Sequence, residues 1–347
     1  MRTAIWYGMR PELRAEELKR DLSQVREAGI EQVLVYVYQE DGIARYASRI
    51  LPSTNTDMLA IAVEAGYKYG LKVQAALVTL KCPSKRVMEG HPDWYMVNMQ
   101  GISCIEAPPY TEGYRWLCPS REGQKRYLME IVEEIVSGYD VDGIHLDYIR
   151  YPDVILPEAH RKRYGLVQDV ELPQYDYCYC EVCRRLFQEG EGVDPLELKD
   201  AEALERWRRF RYERLRLLVE DIGTIVRRRG KVLSAAAFAT PELSRRYVRQ
   251  DWPAWPLDMA MPMIYQKSYE KDLPWIRTAV EEGVREVGGR FPILAGLQVV
   301  DIAPEELTTA FHCVQEGGAD GVAIFSFSGA QRCWRALKEA LWSSKPV

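Results

Sequence analysis

The densest chemistry-bearing stretch of the chain is YDVDGIHLDYIRYP, residues 139–152. Along an extended strand alternate side chains share a face, so His145 and Asp147 point one way and Ile144 and Leu146 the other. If the aliphatic face meets a layer of helices, the imidazole and the carboxylate face an interior. A carboxylate there is costly unless it is hydrogen-bonded, paired or in use. Pairing to Arg150 or His145 would be structural; the alternative is general acid–base or nucleophilic work on a polar substrate. Asp140 and Asp142 precede the strand and read as turn and cap residues.

A second cluster is CYCEVC, which puts Cys178, Cys180 and Cys183 within six residues. In a reducing compartment such a knot reads as metal ligation rather than disulfide bonding. Three thiolates leave one position of a tetrahedral zinc site to be filled, and a shell closed by four protein ligands makes the metal structural. Another cysteine or His160 could supply the fourth ligand.

The elements that must position these groups alternate eight times. Apolar, β-branched runs fall at residues 3–7, 32–38, 72–79, 142–148, 232–238, 258–265, 292–297 and 321–327. Most are continuously hydrophobic (VLVYVY, VQAALV, VAIFSF), as parallel strands buried on both faces require. Helical periodicity lies between them, at 12–28 (after Pro11), 57–69, 120–137, 200–229, 271–287, 304–316 and 330–342, with a short segment at 241–250. Eight such units without a break in composition predict an α/β fold, one (β/α)8 TIM barrel spanning residues 1–347. A doubly wound sheet is disfavoured, since no G-x-G-x-x-G turn occurs. The connections after strands three and four, about 81–119 and 150–199, are long, the second carrying the cysteines. Both leave the C-terminal ends of strands, where barrels build their sites.

The string VDGIHLDYIRYP, with His91-Pro-Asp-Trp and Gln100-Gly before it and Met261-Pro-Met-Ile-Tyr265 after it, resembles the hypothetical glycosyl hydrolases of the DUF187 type and their relatives, which are TIM barrels. The resemblance runs from strand one to strand eight and implies a carbohydrate-active barrel with Asp147 as the leading catalytic carboxylate. The C-x-C-x-x-C run with Arg184 and Phe187 also resembles the zinc loop of family 42 β-galactosidases. That resemblance implies a structural zinc on Cys118, Cys178, Cys180 and Cys183, with Cys104 the next candidate for the fourth ligand. The same family carries an Asn-Glu pair after strand four where this chain has Tyr148-Ile149, so its mechanism does not transfer.

Glycosidases use two carboxyl groups. Candidates to partner Asp147 leave several strand ends: Glu40 and Asp41, Glu242, Glu270 and Asp301. Of these Glu242 ranks first, then Asp301 and Asp41. Trp6, Tyr7, Tyr38, Gln39, His145, Arg150, Tyr265, Gln266 and Gln298 are expected to meet the sugar, through ring stacking or hydrogen bonds.

Composition narrows the rest. The 347 residues are 47% hydrophobic and 28% charged with net charge −5, which fits a folded protein and argues against a basic nucleic-acid surface. Only four histidines occur, too few for a barrel metallohydrolase built on several imidazoles. No apolar run is long enough to span a membrane, and no signal-peptide pattern opens the chain, so a cytoplasmic location is expected. Gly318-Ala-Asp-Gly precedes strand eight rather than following it, which argues against a phosphate-binding barrel. The expected function is hydrolysis of an oligo- or polysaccharide; a non-catalytic carbohydrate-binding barrel is the rival. Nothing in the sequence decides between a monomer and a homo-oligomer.

Overall fold

The computed structural model describes residues 1–343. Among the described residues eight parallel strands close into a barrel in sequence order: β1 (Arg2–Gly8), β2 (Gln32–Tyr38), β3 (Lys72–Val78), β4 (Gly143–Asp147), β5 (Val232–Phe238), β6 (Met259–Met263), β7 (Leu294–Gln298) and β8 (Gly321–Phe325). All eight runs read as strands form them. Helices follow where periodicity places them, from Ala15–Glu27 after β1 to Trp334–Ser343 after β8. The first helix begins three residues later than expected: Pro11 lies before it, and at its start the Glu17 carboxylate accepts the Arg14 backbone N–H at 3.1 Å.

Alternation divides the apolar side chains into two cores. Ile5, Val33, Val35, Ile144 and Leu146 pack outward against the helices. Ala4, Trp6, Leu34, Tyr36, Ala76, Val78, Ala236, Met261 and Ala323 fill the barrel interior. Glycine at 296 is needed there, since a Cβ would lie 2.9 Å from the Pro262 carbonyl oxygen and 3.2 Å from the Trp6 ring.

The N-terminal end of the barrel repeats one device. Asp142, Asp258 and Asp320 directly precede β4, β6 and β8, and their carboxylates accept the backbone N–H of Val73, Leu233 and Ile293 at 2.7, 2.8 and 2.9 Å. Each aspartate thereby ties the start of one strand to its predecessor. Asp142 is thus a strand-end tie rather than a site residue.

Two long excursions leave the opposite end. Residues 79–121 follow β3 and include the helix Lys85–Gly90; residues 148–200 follow β4 and include the helices Glu158–Arg163 and Glu181–Glu191. They pair with each other, through the bridge of Asn98 to Tyr177 for example. Among the described residues no helix is long and apolar enough to cross a membrane.

Candidate active site

Asp147 is the last residue of β4 and faces inward, 8% exposed. Its Oδ2 accepts the Tyr36 hydroxyl at 2.6 Å and its Oδ1 accepts the Tyr148 N–H at 2.7 Å. Both donors favour the ionised form, yet burial outweighs them and pushes the carboxyl above its ordinary range. Tyr148 holds a positive φ of 52°, a conformation uncommon for a bulky residue, and this turn aims the chain into the cleft.

Below Asp147 the barrel interior carries a hydrogen-bonded chain. Trp6 Nε1 donates to His145 Nε2 at 2.9 Å, and His145 Nδ1 meets Ser234 Oγ at 2.8 Å. Ser234 donates to Gln74 Oε1 at 2.6 Å, and Gln74 donates to Gln32 Oε1 at 3.3 Å. Because an indole can only donate, Nε2 must accept, which leaves the proton on Nδ1. Burial pulls the imidazole pKa down to about 3, in keeping with a neutral ring.

Above Asp147 opens a cleft of about 1330 Å³, lined among others by Tyr36, Gln39, Glu40, Asp41, Lys81, Tyr114, Asp147, Arg150, Asp153, Tyr265, Gln298 and Asp301. Arg150 is buried over the rings of Trp116, Tyr148 and Phe238, and binds Asp153 at 2.9 Å and the Tyr114 hydroxyl at 3.1 Å. Tyr114 also donates to Asp153. Asp153 is therefore committed to holding Arg150 in place.

Several expected residues do meet at this mouth: Asp147, Arg150, Gln39, Tyr265, Gln298, Asp41, Asp301 and, through its ring, Tyr7. Asp41 is paired to Arg45 at 2.5 Å, and Gln298 donates to Asp301 at 2.6 Å. Tyr265 lines the cleft, while its hydroxyl is buried and has no partner.

Four expectations are corrected. Glu242 does not reach the cleft: it starts the helix Pro241–Val248 and faces an outer groove with Glu171, Glu205 and Arg245. Trp6 and His145 lie beneath the cleft floor, spent on each other. Tyr38 faces outward because a bulge breaks the β2–β3 register between Tyr36 and Tyr38, so that Tyr38 pairs with outward-facing Leu77. Its hydroxyl lies 3.3 Å from that of Tyr127 in the helix Glu122–Gly138. Gln266, also expected at the mouth, is buried with its amide unpartnered. The sequence reading missed Tyr36, which the alternation of β2 places inside the barrel, and Lys81 and Tyr114, which sit in a loop without periodicity.

The cysteines converge. Cys118, Cys178, Cys180 and Cys183 are all buried, and their sulfurs lie within 4.8 Å of one another. Cys118 Sγ is 3.7 Å from Cys180 Sγ and 3.5 Å from Cys183 Sγ. Zinc–sulfur bonds of about 2.3 Å give a tetrahedron with edges near 3.8 Å, so the set fits a metal and is too open for disulfides. Cys104 is not part of it: its Sγ instead contacts the Trp116 backbone. The cluster could hold a metal ion that joins one long excursion to the other.

Residues 17–148 match the model of a family described as Hypothetical glycosyl hydrolase 6, a segment running from the first helix to one residue past Asp147. No curated protein matches. Among solved structures, α-L-fucosidase isoenzyme 2 from Paenibacillus thiaminolyticus is 16% identical with a TM-score of 0.61, covering 99% of this chain and 49% of that one. The catalytic domain of β-amylase from Paenibacillus polymyxa is 12% identical with a TM-score of 0.59 and 99% of both chains covered. A β-galactosidase from the psychrophilic Marinomonas ef1 is 16% identical with a TM-score of 0.61, covering 94% of this chain and 54% of that one. This chain thus spans about half the length of the fucosidase and of the galactosidase, and at these identities the likeness is one of fold. The family match over the segment that ends at the β4 carboxylate, joined to the shared barrel, supports a glycosyl-hydrolase-like protein.

Proposed function

We propose that this protein hydrolyses glycosidic bonds of an oligo- or polysaccharide at the C-terminal mouth of its barrel, with Asp147 as the catalytic carboxylate. The observation that carries the reading is Asp147 itself: a buried carboxyl, oriented by two donors and raised by burial, at the bottom of a large cleft. The other buried aspartates are paired with arginine, Asp153 with Arg150 and Asp176 with Arg211 and Arg249, whereas the direct partners of Asp147 are a phenol and a backbone N–H. The cleft exceeds the roughly 300–1,000 Å³ of ordinary small-molecule pockets, which suits a chain of sugar rings. Gln298 offers hydrogen bonds to sugar hydroxyls and Tyr265 a ring surface, and Gln39, although donating to the Met9 carbonyl, presents its oxygen.

The four cysteines are read as a structural zinc site, whose ion would supply cross-linking of the two excursions and no chemistry. Buried thiols of this kind suit a reducing, cytoplasmic setting. The barrel is read as a single domain.

The test is a release assay over oligosaccharides and aryl glycosides of varied sugar and anomeric configuration. Reducing ends or aryl alcohol should appear with at least one of them. Silence across the panel together with measurable glycan binding would replace hydrolysis by the carbohydrate-binding reading.

A further inference from the structure

Three consecutive strand ends carry charge to the same side of the cleft. Glu40 lies two residues beyond β2, Lys81 three residues beyond β3, and Asp147 ends β4. Register fixes this order, with Tyr38 beside Leu77 and Val78 beside Asp147. Lys81 Nζ is 2.8 Å from Glu40 Oε1 and 4.9 Å from the centre of the Tyr148 ring, the residue whose N–H holds Asp147. Neighbouring strands lie about 4.8 Å apart, so β2 and β4 are separated by roughly 10 Å. In inverting hydrolysis the two carboxyl groups lie about 6.5–9.5 Å apart with a water between them.

The other acids of the cleft are otherwise engaged. Asp21 accepts the Tyr7 hydroxyl, Asp41 is tied to Arg45, Asp153 to Arg150 and Tyr114, and Asp301 to Gln298 on the β7 side. Glu40 holds a single ion pair, to Lys81 in the cleft, and its charge is felt by Asp147.

We propose that Glu40 is the second carboxyl of the site, oriented by its ion pair with Lys81, and that it takes a proton from water while Asp147 gives one to the sugar. The inference rests on the hydrolase reading above. The bond from the anomeric carbon to the glycosidic oxygen breaks, its electron pair staying on that oxygen, which receives the Asp147 proton. The water oxygen bonds to the anomeric carbon from the opposite face and its proton passes to Glu40. Exchange with solvent then returns the proton to Asp147. The product therefore has inverted configuration. The environments suit these roles: burial favours the protonated form of Asp147, and the Glu40 charge acts in the same direction. The other groups facing Asp147 are Tyr36, Tyr148, Arg150 and Tyr265. Lys81 is a positioning residue.

The pairing can be measured without a substrate. In protein labelled with [4-13C]aspartate, the Asp147 carboxyl signal is the one lost in Asp147→Asn. Glu40→Gln should lower its titration midpoint by about 0.5 pH unit or more, and Lys81→Met should raise it, since each removes one charge from the same side of the cleft. Asp301→Asn should leave it in place. A midpoint unmoved by Glu40→Gln, in a variant whose remaining signals are unchanged, overturns the pairing. With any aryl glycoside that the wild type cleaves, proton NMR of the fresh product should show the inverted anomer. A retained anomer overturns the assignment of Glu40 as base. A protein that cleaves no glycoside defeats the hydrolase reading, while the titration still decides whether the two carboxyls face each other.

Discussion

Burial without a contacting cation makes Asp147 expensive, and the sign of that cost is informative. A carboxyl raised in the folded state binds its proton more readily there than in the unfolded chain. Its stability contribution is therefore favourable only at low pH and is lost as pH rises from the ordinary carboxylate range through the folded value. Asp147→Asn should consequently unfold at an equal or higher temperature than wild type at pH 7, by about 1–3 °C for a domain of this size, and the gain should vanish near pH 4. A fall of several degrees at pH 7 would show that the carboxylate is structural. Tyr36→Phe removes a donor to the charged form and should move the Asp147 titration upward, the opposite direction to Glu40→Gln. His145 behaves the other way from Asp147. Its pKa is depressed to about 3, so the stability it contributes is complete above about 6.5 and is lost as pH falls toward 3. Nitrogen NMR of labelled histidine should find one ring protonated at Nδ1 that does not titrate between pH 5 and 8; a titrating His145 would contradict the buried chain from Trp6 to Gln32.

The elements of this barrel are held by ties that the sequence shows only in part. The aspartates preceding β4, β6 and β8 look alike in sequence, and each closes on the preceding strand with one charge-assisted bond. Asp258→Ala should leave the Leu233 N–H unpaired and cost about 1–3 kcal/mol by denaturant titration, without touching the cleft 20 Å or so away on the scale of a strand's length. The bulge in β2 shows where alternation misleads: one extra residue sends Tyr38 outward to Tyr127, while Tyr36, two positions earlier, keeps the inward orientation. Glu242 misled for a different reason. It follows β5 in sequence, but Thr240 caps the helix that begins at Pro241, and that helix carries the glutamate away from the mouth. The cysteine knot was legible because its spacing is local and thiols are rare; Cys118 came only with a family resemblance, and the geometry places its sulfur 3.5–3.7 Å from two others. Elemental analysis should give about one zinc per chain. Cys180→Ser should lower both metal content and the unfolding temperature, and metal-free protein of full stability would remove the structural-zinc reading.

At the scale of the whole molecule, the barrel was legible because eight buried parallel strands leave an unmistakable period of apolar runs, and its closure follows from their number. The cleft was legible at β4, where a polar residue interrupts such a run, and at the strand-end residues Arg150, Tyr265 and Gln298. It was illegible where the excursions supply Lys81, Tyr114 and Asp153, since those positions depend on how two loops fold against each other. The same loops meet through the cysteine cluster and carry Tyr110 and Tyr164 to the cleft wall. The central claim is that this cleft breaks glycosidic bonds through Asp147. Its most direct test is the hydrolysis rate of the best glycoside found in the release panel, measured for wild type and for Asp147→Asn shown to be folded by its unfolding temperature. The account predicts a loss of about a thousandfold or more, equivalent to about 4 kcal/mol of transition-state stabilisation. A folded Asp147→Asn protein that retains wild-type hydrolysis would contradict it.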